Sequence, residues 1–130
     1  MKKSILLTFV SILIQLNSQG QESYKISPEN SSIEWIGEKV TGSSHSGYIN
    51  LHSAFFTFDI EEKLVGGEFI IDMNSIRCTD IENPKSAASL EGHLKDSDFF
   101  NSNKYPYSNF KITNIVFDGT AYMITGDITI

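Results

Sequence analysis

Short runs that alternate apolar and polar residues with a period of two, each broken by Gly or Asn, dominate this chain and commit it to antiparallel β structure. Ile33 and Trp35 share a face opposite Ser32 and Glu34, and Gly47, Ile49 and Leu51 alternate with Tyr48 and Asn50. Phe56, Phe58 and Ile60 oppose Phe55, Thr57 and Asp59. Gly66-Gly67 opens a further run in which Phe69, Ile71 and Met73 oppose Glu68, Ile70 and Asp72. Phe110 and Ile112 share one parity and Ile115 and Phe117 the other, which predicts a bulge near Thr113-Asn114 that shifts the register by one residue. Asp118-Gly119 predicts a tight hairpin turn, after which Tyr122, Ile124, Gly126, Ile128 and Ile130 alternate with polar or smaller neighbours. About six strands result, each with one apolar and one wet face, as in antiparallel rather than buried parallel sheets.

One segment breaks the pattern. Asn83 can cap a helix whose first position is Pro84, where a missing N–H costs nothing. Ala87, Leu90 and Leu94 then fall on one helical face, and the helix is expected to end near Lys95, weakened by Gly92. A single short helix leaning on a sheet is the economical arrangement.

The N-terminus reads as a secretory signal peptide over residues 1–20. Lys2 and Lys3 precede an apolar run, and Ser18 and Gly20 place small residues before a cut at Gln21. The run is too short and too polar at its end for a stable transmembrane anchor. Loss of that segment takes the formal charge from −6 to −8, so nucleic acid and anionic head groups are poor partners. The expected location is periplasmic or secreted. Cys78 is the only cysteine, which excludes an internal disulfide; at the end of a strand pattern it reads as a shielded small residue.

Catalytic and metal chemistry leave little trace. His45, His52 and His93 fall on three separate elements without ligand-like spacing, so neither a metal site nor a cofactor is expected. No nucleophile elbow, P-loop or dinucleotide fingerprint is present. The pairs Asp96/Asp98 and Glu61/Glu62 sit in polar, turn-like stretches that would leave both carboxyls solvated and ionised.

The inward faces would be Ile33 and Trp35, Phe56 and Phe58, Phe69 and Ile71, Phe110 and Ile112, and Tyr122 and Ile124. Nine Phe, five Tyr and one Trp modestly exceed what a small core requires. Composition leaves two alternatives: these side chains fill a solid core, as in a β-sandwich that recognises a partner or sugar through exposed tyrosines, or they line an apolar tunnel.

An ordered set of motifs spans about Tyr24 to Ile130. It runs Ser31–Trp35, Thr41-Gly42 with His45-x-Gly47, Gly66-Gly67-x-Phe69 and Asp72-Met73-x-Ser75-Ile76. It continues through His93-Leu94-Lys95, Asp98-Phe99-Phe100, Lys104-Tyr105-Pro106 and Gly126-Asp127-Ile128-Thr129-Ile130. The set resembles the YceI-like family of exported polyisoprenoid-binding proteins. The resemblance implies an all-β, lipocalin-like antiparallel barrel that encloses a long isoprenoid tail without catalysis, lined by the ten residues above, with homodimers possible. About six strands fall short of the roughly eight of a closed ligand-holding barrel, and the chain stops within an apolar strand, so the expectation is an incomplete barrel truncated at its C-terminus.

Overall fold

The computed structural model describes residues 20–130; the leader expected over residues 1–20 lies, apart from Gly20, outside them. The alternating runs form strands β1 (Glu22–Ile26), β2 (Ile33–Glu38), β3 (Ser44–Phe58), β4 (Leu64–Cys78), β5 (Tyr107–Phe117) and β6 (Tyr122–Thr129), with one helix, α1 (Pro84–Lys95). All strand pairs are antiparallel, in the order β1-β3-β4-β5-β6. β2 also pairs with β3, beside its first half, while β1 lies beside the second half. A 3-10 turn over Pro28–Asn30 separates the two edge strands. Among the described residues no ladder joins this edge to β6, so the expected incomplete barrel is an open six-stranded sheet with one helix.

The strand boundaries correct the sequence reading in two places. The runs around Gly47–Leu51 and Phe55–Phe58 are one 15-residue strand. The parity change between them is a bulge at His52, where Leu51 faces Ile71 and Ser53 faces Ile70. Ile60 lies beyond the strand in the Asp59–Lys63 turn and is exposed. Strand β1 was not expected, because its ESYKI sequence is short and almost wholly exposed. The bulge after Ile112 is where the parity shift puts it: Ile112 pairs with Gly126 and Asn114 with Thr125, leaving Thr113 as the extra residue.

Helix α1 begins and ends where its signals place it. The Asn83 side chain accepts from Lys85 N and Ser86 N at 3.0 and 3.1 Å, and Pro84 takes the first position. Ala87, Leu90 and Leu94 are half-buried, and the helix packs against β4.

β4 receives the helix by breaking its own ladder. Asn50 pairs with Asp72 and Tyr48 with Arg77, so four residues of β4 stand opposite one of β3. Met73 and Ile76 turn inward and, with Ile49, form the buried cluster on which Ile33, Trp35, Ile71, Leu94 and Phe100 pack. The interrupted ladder is repaired by a hydroxyl: Asn50 N donates to Ser75 Oγ at 2.8 Å, and Ser75 Oγ donates to Asp72 O at 2.6 Å. The segment after α1 folds back on the same bulge, with buried Ser102 donating to Asn74 Oδ1 at 2.8 Å and Ser102 N to Lys95 O at 2.9 Å.

Trp35 ties three strands together. From β2 its indole crosses Gly47 of β3, and Nε1 donates to Arg77 O of β4 at 3.0 Å. A Cβ at Gly47 would lie 1.8 Å from that carbonyl oxygen, so only glycine allows the β3 backbone to come this close to β4. Gly47→Ala is therefore expected to destabilise the chain by about 3 kcal/mol or more. Gly92→Ala, whose Cβ meets nothing within 4 Å on exposed helix, should instead add about 0.5–1 kcal/mol. Urea unfolding of the two variants beside the parent checks both signs.

The β5–β6 turn closes with Asp118 N donating to Ala121 O at 3.2 Å. It centres on Gly119-Thr120, one residue later than the sequence suggests, with Gly119 at φ 98°. Hydrogen bonds from Ala121 N and Thr120 N hold the Asp118 carboxyl below the usual carboxylate range. Its stabilisation is complete above the unfolded-state value of about 3.9 and is lost as pH falls through the lower folded value. Asp118→Ala should thus lower the melting temperature at pH 7, with the difference from the parent shrinking as pH falls below about 4.

Candidate functional site

Cross-strand partners project to the same side of a sheet, so the register assembles one continuous apolar row. Tyr24 of β1 faces Phe56 of β3, Phe69 of β4 faces Phe110 of β5, and Phe110 faces Ile128 of β6. The rings touch in sequence. Tyr24 to Phe58 is 5.6 Å between centroids, Phe58 to Phe56 6.5 Å, Phe56 to Phe69 5.4 Å and Phe69 to Phe110 5.9 Å, mostly edge to face. At a strand spacing of about 4.8 Å the row from β1 to β6 crosses about 19 Å of sheet. Two glycines make room for its rings. A Cβ at Gly67 would fall 3.0 Å from the Phe56 ring, and one at Gly126 would fall 2.6 Å from the Phe110 ring.

The ten residues expected to line a tunnel all lie on this side but divide into two groups. Ile33, Trp35 and Ile71 pack on the buried cluster that α1 covers. Phe56, Phe58, Phe69 and Phe110 are half-buried members of the row, and Ile112 is buried beside it. Tyr122 and Ile124 remain about 40% exposed. Sequence reading left out Tyr24, in the unexpected strand, and Ile128. It also left out Ile115 and Phe117, which the Thr113 bulge returns to the same face opposite Ile124 and Tyr122. The Phe117 and Tyr122 rings lie 4.8 Å apart.

At its β1 end the row borders a groove of about 620 Å³ lined by Gly20, Tyr24, Phe58 and Ile60 together with Glu22, Asp59 and Glu62. The Tyr24 hydroxyl donates to Glu22 Oε2 at 2.6 Å; that hydrogen bond, then the carboxylate charge, pushes the phenol pKa up. The groove wall thus mixes apolar side chains with carboxylates.

A second group sits at the opposite end of β3. Asp80 accepts from the Cys78 thiol at 3.0 Å and from Ser46 N at 3.2 Å, and lies 3.0 Å from His45 Nδ1. Hydrogen bonds from Cys78, His45 and Ser46 N lower the Asp80 pKa to about 2. Burial, then the bond to Asp80, pushes the Cys78 thiol up. Histidine spacing alone hid this convergence, because the imidazole and carboxylate are 35 residues apart. Cys78 is half-shielded, as expected, and its thiol is hydrogen-bonded to Asp80. His93 is exposed and rests edge-on against Phe99 at 4.9 Å.

The open antiparallel sheet, its single helix and the motifs distributed along them agree with a family match. Residues 24–130 match the YceI-like domain model. The chain belongs to the YceI-like family. The chain is similar over its whole length to Protein YceI of Shigella flexneri and of Escherichia coli O157:H7, at 32% identity in each case. A UPF0312 protein of Photorhabdus laumondii is 30% identical. The chain spans 66% of the length of each of these relatives. No helix among the described residues of this YceI-like chain is long and apolar enough to cross a membrane.

Gly126→Ala probes the geometry of the row. Its Cβ would meet Lys111 O at 2.4 Å and drive into the Phe110 ring. A loss of about 1–3 kcal/mol in chemical unfolding is expected, with the near-ultraviolet aromatic signal altered while the far-ultraviolet β signature is retained.

Proposed function

We propose that this chain is an exported, non-catalytic binding protein whose aromatic row takes the tail of a long isoprenoid or similar amphiphilic lipid. The observation that carries the reading is the row itself: ordered rings run across the strands of one face, beyond the edge of the core that α1 covers. Phenylalanine offers no nucleophile or proton, so the face suits binding. Membership of the YceI-like family supports the same reading.

Magnitudes favour a long tail. Each buried CH₂ contributes roughly 0.8 kcal/mol, so a five-carbon isoprene unit contributes about 3–4 kcal/mol gross. Association costs about 4–15 kcal/mol, which one or two units barely offset and several exceed. The carboxylates in the groove wall favour an uncharged head group, because a phosphate would face Glu22, Asp59 and Glu62. The leader at residues 1–20 is proposed to deliver the chain to the periplasm or outside the cell.

Mass spectrometry of organic extracts from the purified chain tests the reading. A stoichiometric polyprenyl species is expected. Phe69→Ala should reduce it several-fold, and added neutral polyprenols should be retained more strongly as their length grows and more strongly than polyprenyl phosphates. An empty, soluble chain that retains no added polyprenol would overturn the proposal and favour a protein- or sugar-recognition module with a filled core.

A further inference from the structure

The His45, Cys78 and Asp80 side chains bring an imidazole nitrogen, a thiol sulfur and a carboxylate oxygen within 4.8 Å of one another. Among the described residues no other group of three His, Cys, Asp or Glu side chains converges in this way. Strand pairing builds the placement. Gly47 is opposite Cys78 and Gly37 opposite His45, so both donors project to the same face from adjacent strands. Thr79 N donates to Ser46 O at 3.0 Å, extending the pairing by one step, and Ser46 N then holds the Asp80 carboxylate.

The arrangement does not suit a cysteine nucleophile. Such a thiol needs the imidazole as its direct base, whereas here the carboxylate stands between them and bonds to both. Three unlike donors around one point suit a cation better. A tetrahedral zinc ion keeps nitrogen and oxygen ligands at about 2.0–2.2 Å and sulfur at about 2.3 Å, which sets its ligand atoms roughly 3.3–3.7 Å apart. The two contacts of 3.0 Å and the 4.8 Å envelope bracket that spacing. Thiolate, imidazole and carboxylate together select a borderline-soft divalent ion over calcium or magnesium. The His45 and Asp80 side chains are about one-third exposed, which leaves an entry path and an open fourth position.

We propose that His45, Cys78 and Asp80 form a three-ligand site for a zinc-class divalent cation. On binding, the Cys78 S–H bond breaks, its proton passes to solvent, a sulfur–metal bond forms, and no electron is transferred. The ion would pin the start of β3 to the end of β4 and to the segment beyond, at the opposite end of β3 from the groove beside Tyr24 and Phe58.

Cobalt(II) titration of the purified, reduced chain tests this, since a thiolate ligand gives cobalt a near-ultraviolet charge-transfer band. One equivalent should produce the band, and zinc should displace it. Cys78→Ser should abolish it, and His45→Gln and Asp80→Asn should each weaken binding at least about 10-fold. As a check that needs no variant, zinc should slow alkylation of Cys78 in the parent chain at least about 10-fold, in step with site occupancy. No band and no protection would overturn the proposal. Binding through Cys78 that is equally tight in His45→Gln and Asp80→Asn, both confirmed folded by circular dichroism, would also overturn it by reducing the site to a single thiol.

Discussion

The break in the β4 ladder between Asp72 and Arg77 is the constraint on which the rest of the molecule depends. Four residues stand against one, and a sheet that widens in this way leaves backbone donors without their ladder partners. Ser75 resolves the problem with one hydroxyl, accepting from Asn50 N and donating to Asp72 O. Met73 and Ile76 are thereby free to point inward together, which strict alternation would forbid. The helix then has something to rest on, and the loop after it is fastened to the same bulge through Asn74 and Ser102.

Trp35 and Gly47 supply the complementary device from the other side. Edge strands fray unless something beyond their ladder holds them, and the indole reaches past its neighbour to bond to the second strand over. Large and small residues are matched across strands elsewhere on this face too, with Phe56 against Gly67 and Phe110 against Gly126. The glycines are the recesses into which the rings fit, and so they belong to the packing rather than to the turns.

Much of this was legible in the chain because it is local. Asn83-Pro84 marks the start of α1, and the change of parity between Ile112 and Ile115 marks the bulge at Thr113. The same kind of parity change between Leu51 and Phe56 reads equally well as a turn, and only pairing along the full length of β4 decides for a bulge at His52. The insertion at Met73–Ile76 leaves no such mark, since its hydroxyl repair depends on which strand lies opposite. The division of the ten inward residues between a covered core and an open row is equally non-local, because it depends on where α1 lands. His45 and Asp80 meet only through the ladder between β3 and β4, which spacing along the chain does not encode.

That division has an evolutionary consequence. Side chains under the helix maintain the fold, whereas the rings from Tyr24 to Phe110 lie beyond its cover and are half-buried or exposed. Substitutions in the row therefore draw on a small part of a stability margin of only about 5–15 kcal/mol. Selection can widen, shorten or re-aim the row one ring at a time while the scaffold stays above its folding threshold. A lineage carrying this architecture is free to reshape this face without first re-inventing its core.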